Sequence, residues 1–284
     1  MTHRTLVDAA TRAARLGDAG WRLVDCRFDL AKPDAGLAAY RESHLPGAVY
    51  AHLDHDLSAP RTERSGRHPL PLPAALAHTF GRWGIDADVQ VVAYDDSAGM
   101  YAARLWWLLR WLGHERVAVL DGGLRAWREG GHPLTTAEPS VAPRVFVANP
   151  RPRATVGADE LAGLLEGDAC RLLDARAAER FEGRVEPLDP KAGHVPGARN
   201  HPYTRNLGDD GRFLPEAQLR ERLLERLRGR GPSEVVSMCG SGVTACHTLL
   251  ALEIAGLPGA RLYPGSWSEW SRDPARPVAT GPAE

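Results

Sequence analysis

The sequence predicts an α/β protein built from two tandem copies of one domain, each a mainly parallel sheet flanked by helices. Three observations carry this. Four segments recur in the same order in the two halves. Short apolar runs alternate with helical patterns within each half. At one strand end a loop of small residues leads straight into a helix, and parallel sheets place their sites at such strand ends.

The repeat is read directly. Leu23-Val24-Asp25-Cys26-Arg27 matches Leu172-Leu173-Asp174-Ala175-Arg176, and His44-Leu45-Pro46-Gly47-Ala48 matches His194-Val195-Pro196-Gly197-Ala198. Val91-Val92-Ala93-Tyr94-Asp95 matches Val235-Val236-Ser237-Met238-Cys239, and Gly122-Gly123-Leu124-Arg125-Ala126-Trp127 matches Gly265-Ser266-Trp267-Ser268-Glu269-Trp270. The offsets of 149, 150, 144 and 143 change only as loop insertions would change them. Between the halves runs a stretch with Pro139, Pro143, Pro150 and Pro152. Proline fixes φ and removes a backbone donor, so this stretch should be extended and irregular. The boundary is expected near residue 145, giving domains 1–144 and 145–284.

In chain order, residues 21–26, 89–94, 117–120, 170–174 and 235–238 are short apolar runs that read as buried strands. Residues 102–112 and 243–255 read as helices, closed by Gly113 and Gly256 in the left-handed position that ends many helices.

The chain has 284 residues, 43% hydrophobic and 25% charged, with a formal net charge of −1. That suits a globular protein. The charge creates no field to attract nucleic acid or an anionic membrane. Residues 1–20 lack the apolar core of an export signal, and no apolar run approaches the 18 or so residues that span a bilayer. A cytoplasmic location follows as the expectation, where thiols stay reduced. The cysteines at 26, 170, 239 and 246 form no CxxC pair and no metal-ligand spacing. A special cysteine here would be special as a nucleophile.

Cys239 has the setting for that. An apolar strand ends at it, Gly240, Ser241 and Gly242 permit a tight loop, and a helix begins near Val243. Successive backbone N–H groups and the positive end of a helix then point at the sulfur, which favours the thiolate, the nucleophilic form. A buried cysteine at a strand end is often only a small hydrophobe. The strand, the glycine loop and the helix start together favour the nucleophile here. Cys26, Cys170 and Cys246 lack that context and read as structural.

The CGSGVTA loop, the paired HxPGA segments, DGG-x-x-x-W and GSWSEW resemble tandem rhodaneses over roughly residues 5–275. The loop is similar to that of the 3-mercaptopyruvate subtype, C-G-[ST]-G-V-T, and unlike the basic C-R-K-G-V-T of the thiosulfate subtype. The resemblance implies two tandem rhodanese-like domains, a catalytic second domain with Cys239 carrying sulfur as a persulfide, and a first domain that completes a cleft. Asp95 stands where the first repeat would need its cysteine. A carboxylate cannot accept sulfane sulfur, so that copy should be inactive.

The resemblance also implies roles. Arg180, of the Arg180-Phe181 pair, would bind the donor's carboxylate, and Arg176 would serve Asp174 or the fold. Gly240, Gly242, Val243 and Thr244 would line the donor site. Ser241 and His44, with an aspartate for which Asp34 is the nearest candidate, would assist turnover. His44 could equally be a capping histidine like its repeat partner His194. Tyr101 would approach the cleft or else be a core aromatic beside Trp106 and Trp107. The subtype commonly carries a second arginine in a Glu-Pro-Arg context, whereas this chain reads Glu186-Pro187-Leu188-Asp189. Arg184 is the nearby substitute.

Partners would be a small anionic sulfur donor and an acceptor such as a thiol, thioredoxin or cyanide. No metal or organic cofactor, nucleic acid or membrane is implied. A phosphatase or arsenate reductase on this fold needs Cys-x5-Arg, and six residues past Cys239 stands Ala245. A non-enzymatic binding module needs no Cys239.

Overall fold

A computed structural model describes residues 2–282. The chain forms two compact units. The first holds the described residues up to Ala59, with Leu70–Arg151 and Asp209–Arg212. The second holds Pro60–Pro69, Pro152–Gly208 and the described residues from Phe213 onward. The Pro-rich stretch expected at the boundary stays with the first unit because its backbone is tied there. Arg144 N–H donates to the Gly81 carbonyl, Asn149 N–H to Leu112 and Arg151 N–H to Trp111, each at 2.9 Å.

In the first unit, strands β1 (Leu6–Val7), β2 (Trp21–Asp25), β3 (Ala48–Tyr50), β4 (Gln90–Tyr94) and β5 (Val117–Leu120) form one sheet in the order β1-β5-β4-β2-β3. Every pairing is parallel. In the second, β6 (Arg171–Asp174), β7 (Arg199–Asn200), β8 (Val235–Met238) and β9 (Arg261–Leu262) pair in the order β7-β6-β8-β9, again all parallel. A parallel bridge from Thr155 to Leu262 puts a further segment beside β9, where β1 stands beside β5 in the first sheet. The two sheets therefore share one topology, as a duplication requires.

Among the described residues five α-helices accompany each sheet: α1 (Ala9–Ala13), α2 (Ala35–Glu42), α3 (Pro73–Arg82), α4 (Ala102–Trp111) and α5 (Gly123–Glu129), then α6 (Ala158–Glu166), α7 (Ala178–Phe181), α8 (Glu216–Leu227), α9 (Thr244–Ile254) and α10 (Ser266–Trp270). Parallel strands covered on both faces are apolar throughout, and β4, β5 and β8 have no exposed residue. The helices expected over 102–112 and 243–255 are α4 and α9, followed by Gly113 and Gly256 at positive φ. Helix α9 is buried from Ala245 to Leu252, as a helix apolar on all sides must be.

The repeated segments do the same work in both units. Arg27 holds Asp25 through Nε and Nη2, and Arg176 holds Asp174 likewise. The Trp127 indole N–H donates to the Pro133 carbonyl at 2.8 Å, and that of Trp270 to Pro277 at 2.9 Å. Such buried, charge-assisted pairs fix each strand end against the loop beyond it.

Candidate functional site

The second unit builds its site on the end of β8. Cys239 follows Met238 and is 2% exposed. Its sulfur accepts the Gly242 N–H at 3.2 Å. The backbone that makes this possible is unusual at Gly242, where φ is +77° and an added Cβ would lie 2.6 Å from the Pro264 carbonyl oxygen. Only glycine fits both conditions. Val243 caps α9 and is buried, and Thr244 opens the helix.

The segment before α10 clamps the loop from behind. Cys239 N–H donates to Ser266 Oγ at 3.1 Å, and Ser266 Oγ donates to the Tyr263 carbonyl at 2.9 Å. Trp267 N–H reaches the Cys239 carbonyl at 3.0 Å and Ser268 N–H the Gly240 carbonyl at 2.9 Å. These bonds tie the Cys239 N–H and the Cys239 and Gly240 carbonyls to the segment before α10, which holds the sulfur in position.

Segment Pro60–Pro69 brings the remaining groups. Arg67 N–H donates to Ser268 Oγ at 3.0 Å, and Arg272 Nη1 donates to the Ser65 carbonyl at 3.1 Å. Next to Arg67, His68 Nδ1 lies 2.7 Å from Ser241 Oγ, with both residues buried. A histidine on a serine hydroxyl one residue from the loop's Gly242 can move a proton at that position.

Two guanidiniums flank Gly240. A Cβ built on Gly240 would sit 3.0 Å from Arg67 Nη2 and 3.4 Å from Arg180 Nη1. Behind them lie two buried carboxylates. Asp189 pairs with Arg67 and, at 3.2 Å, with Arg180 Nη2. Glu186 pairs with Arg180 Nη2 at 2.6 Å and with Arg176 Nη1 at 3.4 Å. Glu186 also accepts the N–H groups of Leu188 and Asp189, at 3.1 and 3.2 Å. That folds the Glu186-Pro187-Leu188-Asp189 turn so that Asp189 points inward while Leu188 stays exposed. Burial pushes the Asp189 carboxyl up, with Glu186 adding repulsion, while the Arg67 and Arg180 guanidiniums pull it down.

Of the residues expected to meet here, Cys239, Gly240, Ser241, Gly242, Val243, Thr244 and Arg180 are together in the second unit. Four are not. His44 lies in the first unit, fully buried and stacked on Tyr40, with Nδ1 2.7 Å from the Tyr40 carbonyl and Nε2 3.1 Å from that of Ala137. His194 makes the matching bond to Phe181 in the second unit. His44 is therefore a capping histidine, and the histidine on Ser241 is His68. Asp34 caps α2 in the first unit, exposed and without a side-chain bond to the helix. Tyr101 is a core aromatic of the first unit, edge-on to Phe28 at 5.6 Å between centroids. Arg184 is an exposed surface residue paired with Glu182 at 2.6 Å. Arg176 serves Asp174 as expected.

The first unit carries the same loop with a different occupant. The Asp95 carboxylate accepts four backbone N–H groups, from Ser97, Gly99, Tyr101 and Ala102, at 2.8–2.9 Å. Its carbonyl accepts Leu124 N–H at 2.9 Å, the counterpart of Trp267 on Cys239. An anion already fills this nest, and it belongs to the chain. The other thiols are enclosed. Burial, with Asp95 and Asp25 adding repulsion, pushes Cys26 well up; burial also raises Cys170, and Cys246 donates to the Gly242 carbonyl at 3.3 Å. Among the described residues no cluster of three metal-ligating side chains occurs, and no helix is long and apolar enough to cross a membrane.

Comparison with known proteins gives the same outline. The rhodanese-like domain family matches residues 8–130 and again 157–273. A probable 3-mercaptopyruvate sulfurtransferase of Pseudomonas aeruginosa is 52% identical, over 99% of this chain and all of its own length. A putative thiosulfate sulfurtransferase of Mycobacterium tuberculosis, SseB, is 44% identical over 92% of this chain and 91% of its own. The solved 3-mercaptopyruvate sulfurtransferase of Leishmania major superposes with a TM-score of 0.83 at 33% identity, covering 94% of this chain and 74% of that one.

Proposed function

The chain belongs to the rhodanese-like family as a tandem member, and from that premise we propose that it moves sulfane sulfur from 3-mercaptopyruvate to a thiol or cyanide acceptor through a persulfide on Cys239. The observation that carries this is the contrast between the two equivalent loops. One holds a thiol whose sulfur accepts the Gly242 N–H, and the other is filled by its own carboxylate.

In the first half-reaction the Cys239 thiolate attacks the donor sulfur. The S–S bond forms, the C3–S bond breaks, and its electron pair leaves with the three-carbon fragment as an enolate. One proton delivered to C3 gives pyruvate, and the sulfur stays on Cys239 as the persulfide. Ser241 with His68 supplies a proton path beside the loop. Arg180 holds the donor carboxylate. In the second half-reaction an acceptor thiolate or cyanide attacks the outer sulfur, and the Cys239 thiolate leaves. A thioredoxin dithiol is the acceptor class that could pass the sulfur on as sulfide while closing a disulfide. The reaction as written draws on no metal or organic cofactor, and a cytoplasmic setting would supply the reduced thiols it uses.

A second reading has its own support. The guanidinium charge gathered beside Gly240 also suits thiosulfate, a compact dianion. Steady-state kinetics with both donors side by side separates the two. The chemistry itself is tested by Cys239→Ser, which should abolish transfer from either donor and remove the extra sulfur atom from the mass of the loaded protein. Cys26→Ala, Cys170→Ala and Cys246→Ala should each keep most activity. Substantial turnover by Cys239→Ser would overturn the proposal.

A further inference from the structure

We propose that Arg67 is the second anion-binding arginine of the donor site, holding the donor's carboxylate jointly with Arg180 while Asp189 positions it; this rests on the sulfurtransferase reading above. The Glu186-Pro187-Leu188-Asp189 turn offers no arginine of its own, and Arg184 faces solvent. Arg67, 113 residues before Arg180 in the chain, fills that need. Its Nη2 and the Nη1 of Arg180 approach one point beside the Cys239 loop, within 3.0 and 3.4 Å of where a Gly240 Cβ would stand. Because Gly240 has no side chain, the guanidiniums can crowd the loop.

The donor capacity there is unspent. Arg67 spends Nη1 on Asp189, and Arg180 spends Nη2 on Glu186 and Asp189. Among the described residues, Arg67 Nη2 and Arg180 Nη1 bond to no protein group, and the Nε of both arginines is buried without a partner. Two guanidiniums with open Nη groups beside one point suit a carboxylate or sulfonate, which offers two or three acceptor oxygens. Asp189 lies behind them, its side chain 1% exposed, and its carboxylate bridges the two cations so that they can stand close before a donor binds. It is a positioning residue for Arg67.

The test uses the full chain. In Arg67→Leu, KM for the preferred donor should rise roughly ten- to hundredfold, the range for losing one charge-assisted hydrogen bond, while kcat falls far less. Arg67→Lys should recover only part, since it restores charge but not the fork. Arg184→Leu, outside the site, should leave KM as it was. An Arg67→Leu KM within twofold of the parent overturns the proposal, and so does a fall in kcat alone. If Arg67→Leu does not fold, the KM of Arg67→Lys decides by the same criterion. Calorimetric binding of the product anions pyruvate and sulfite reads the same subsite without turnover. Their affinity should weaken at least tenfold in the variant, and an unchanged Kd, or no binding by the parent, overturns the assignment. The donor reading fails separately, if the parent prefers thiosulfate by kcat/KM.

Discussion

Single residues set the stability of this fold through their burial. His201 is 1% exposed, and its Nε2 lies 2.8 Å from Asn206 Oδ1 while Nδ1 is buried without a partner. Burial, with Arg226, Arg205 and Arg222 adding repulsion, pushes its pKa down to about 4. In the unfolded chain the value is about 6.5, so between these limits the unfolded state binds the proton and the folded state does not. Stability from this group is whole above pH 6.5 and is lost as pH falls toward 4. The full loss is on the order of 3 kcal/mol, at about 1.4 kcal/mol per pH unit. Urea unfolding at pH 7 and pH 4.5 should therefore show a smaller pH effect in His201→Gln than in the parent, by about 2 kcal/mol. Equal pH effects would contradict the assignment. At this scale the sequence was informative where chemistry is local. The strand, glycine loop and helix start around Cys239 were readable from its immediate neighbours. His68 was not, because its partner Ser241 is 173 residues away. The repeat did hold one usable signal: His44 and His194 occupy equivalent positions, and a residue required in both copies is tied to what both copies share, the fold.

At the scale of elements, the unit that matters is strand, turn and helix. In the second unit it runs from β8 through the Cys239 loop into α9, and in the first from β4 through the Asp95 loop into α4. Both turns aim backbone N–H groups inward, and each needs something to receive them. Asp95 receives four, two on each carboxylate oxygen. Asp95→Ala would leave those donors buried and unanswered, at a cost of about 3 kcal/mol or more even with some water admitted. Asp95→Asn should recover little, because its NH2 would face two N–H groups instead of accepting them. Denaturant unfolding of the three proteins checks this, and an Asp95→Asn variant as stable as the parent would show that the carboxylate is dispensable. The same segment before the helix differs instructively. Gly123 (φ +54°) cannot take a Cβ, which would run into the Asp95 carbonyl, whereas Ser266 holds a φ of +53° in the second unit with its hydroxyl bonded to Cys239 N–H. Strained backbone of this kind is kept where the surroundings enforce it. Central strands and the apolar helices α4 and α9 were legible from apolar runs and glycine stops, whereas α8, the 12-residue helix Glu216–Leu227, was not read. Two- and three-residue strands such as β1, β3, β7 and β9 were not, since so few residues show no periodicity.

The whole molecule is a duplication whose sequence order and unit membership differ in two places. Residues 60–69 belong to the second unit and residues 209–212 to the first. Pro60 and Asp209 are 149 apart, the same offset as Leu23 and Leu172, so equivalent stretches of the repeat are involved. Four ordered matches made the duplication legible, but nothing local marks a ten-residue loop as belonging to the other unit. The consequence is testable. A fragment of residues 150–284 retains Cys239, Ser241 and Arg180 yet lacks Arg67 and His68. It loses the Ser241 partner, one of two guanidiniums beside Gly240, and the backbone bond from Arg67 to Ser268 that braces the loop clamp. Loss of an anion contact of the first kind is worth about ten- to hundredfold in KM, and loss of a proton-transfer group a further hundredfold or more in kcat. The fragment, once shown to be folded by circular dichroism, should therefore fall at least a thousandfold in kcat/KM with 3-mercaptopyruvate. Full activity in the fragment would show that the second half suffices alone and that neither Arg67 nor His68 takes part. A fall confined to KM would keep Arg67 in the site and remove His68 from the chemistry.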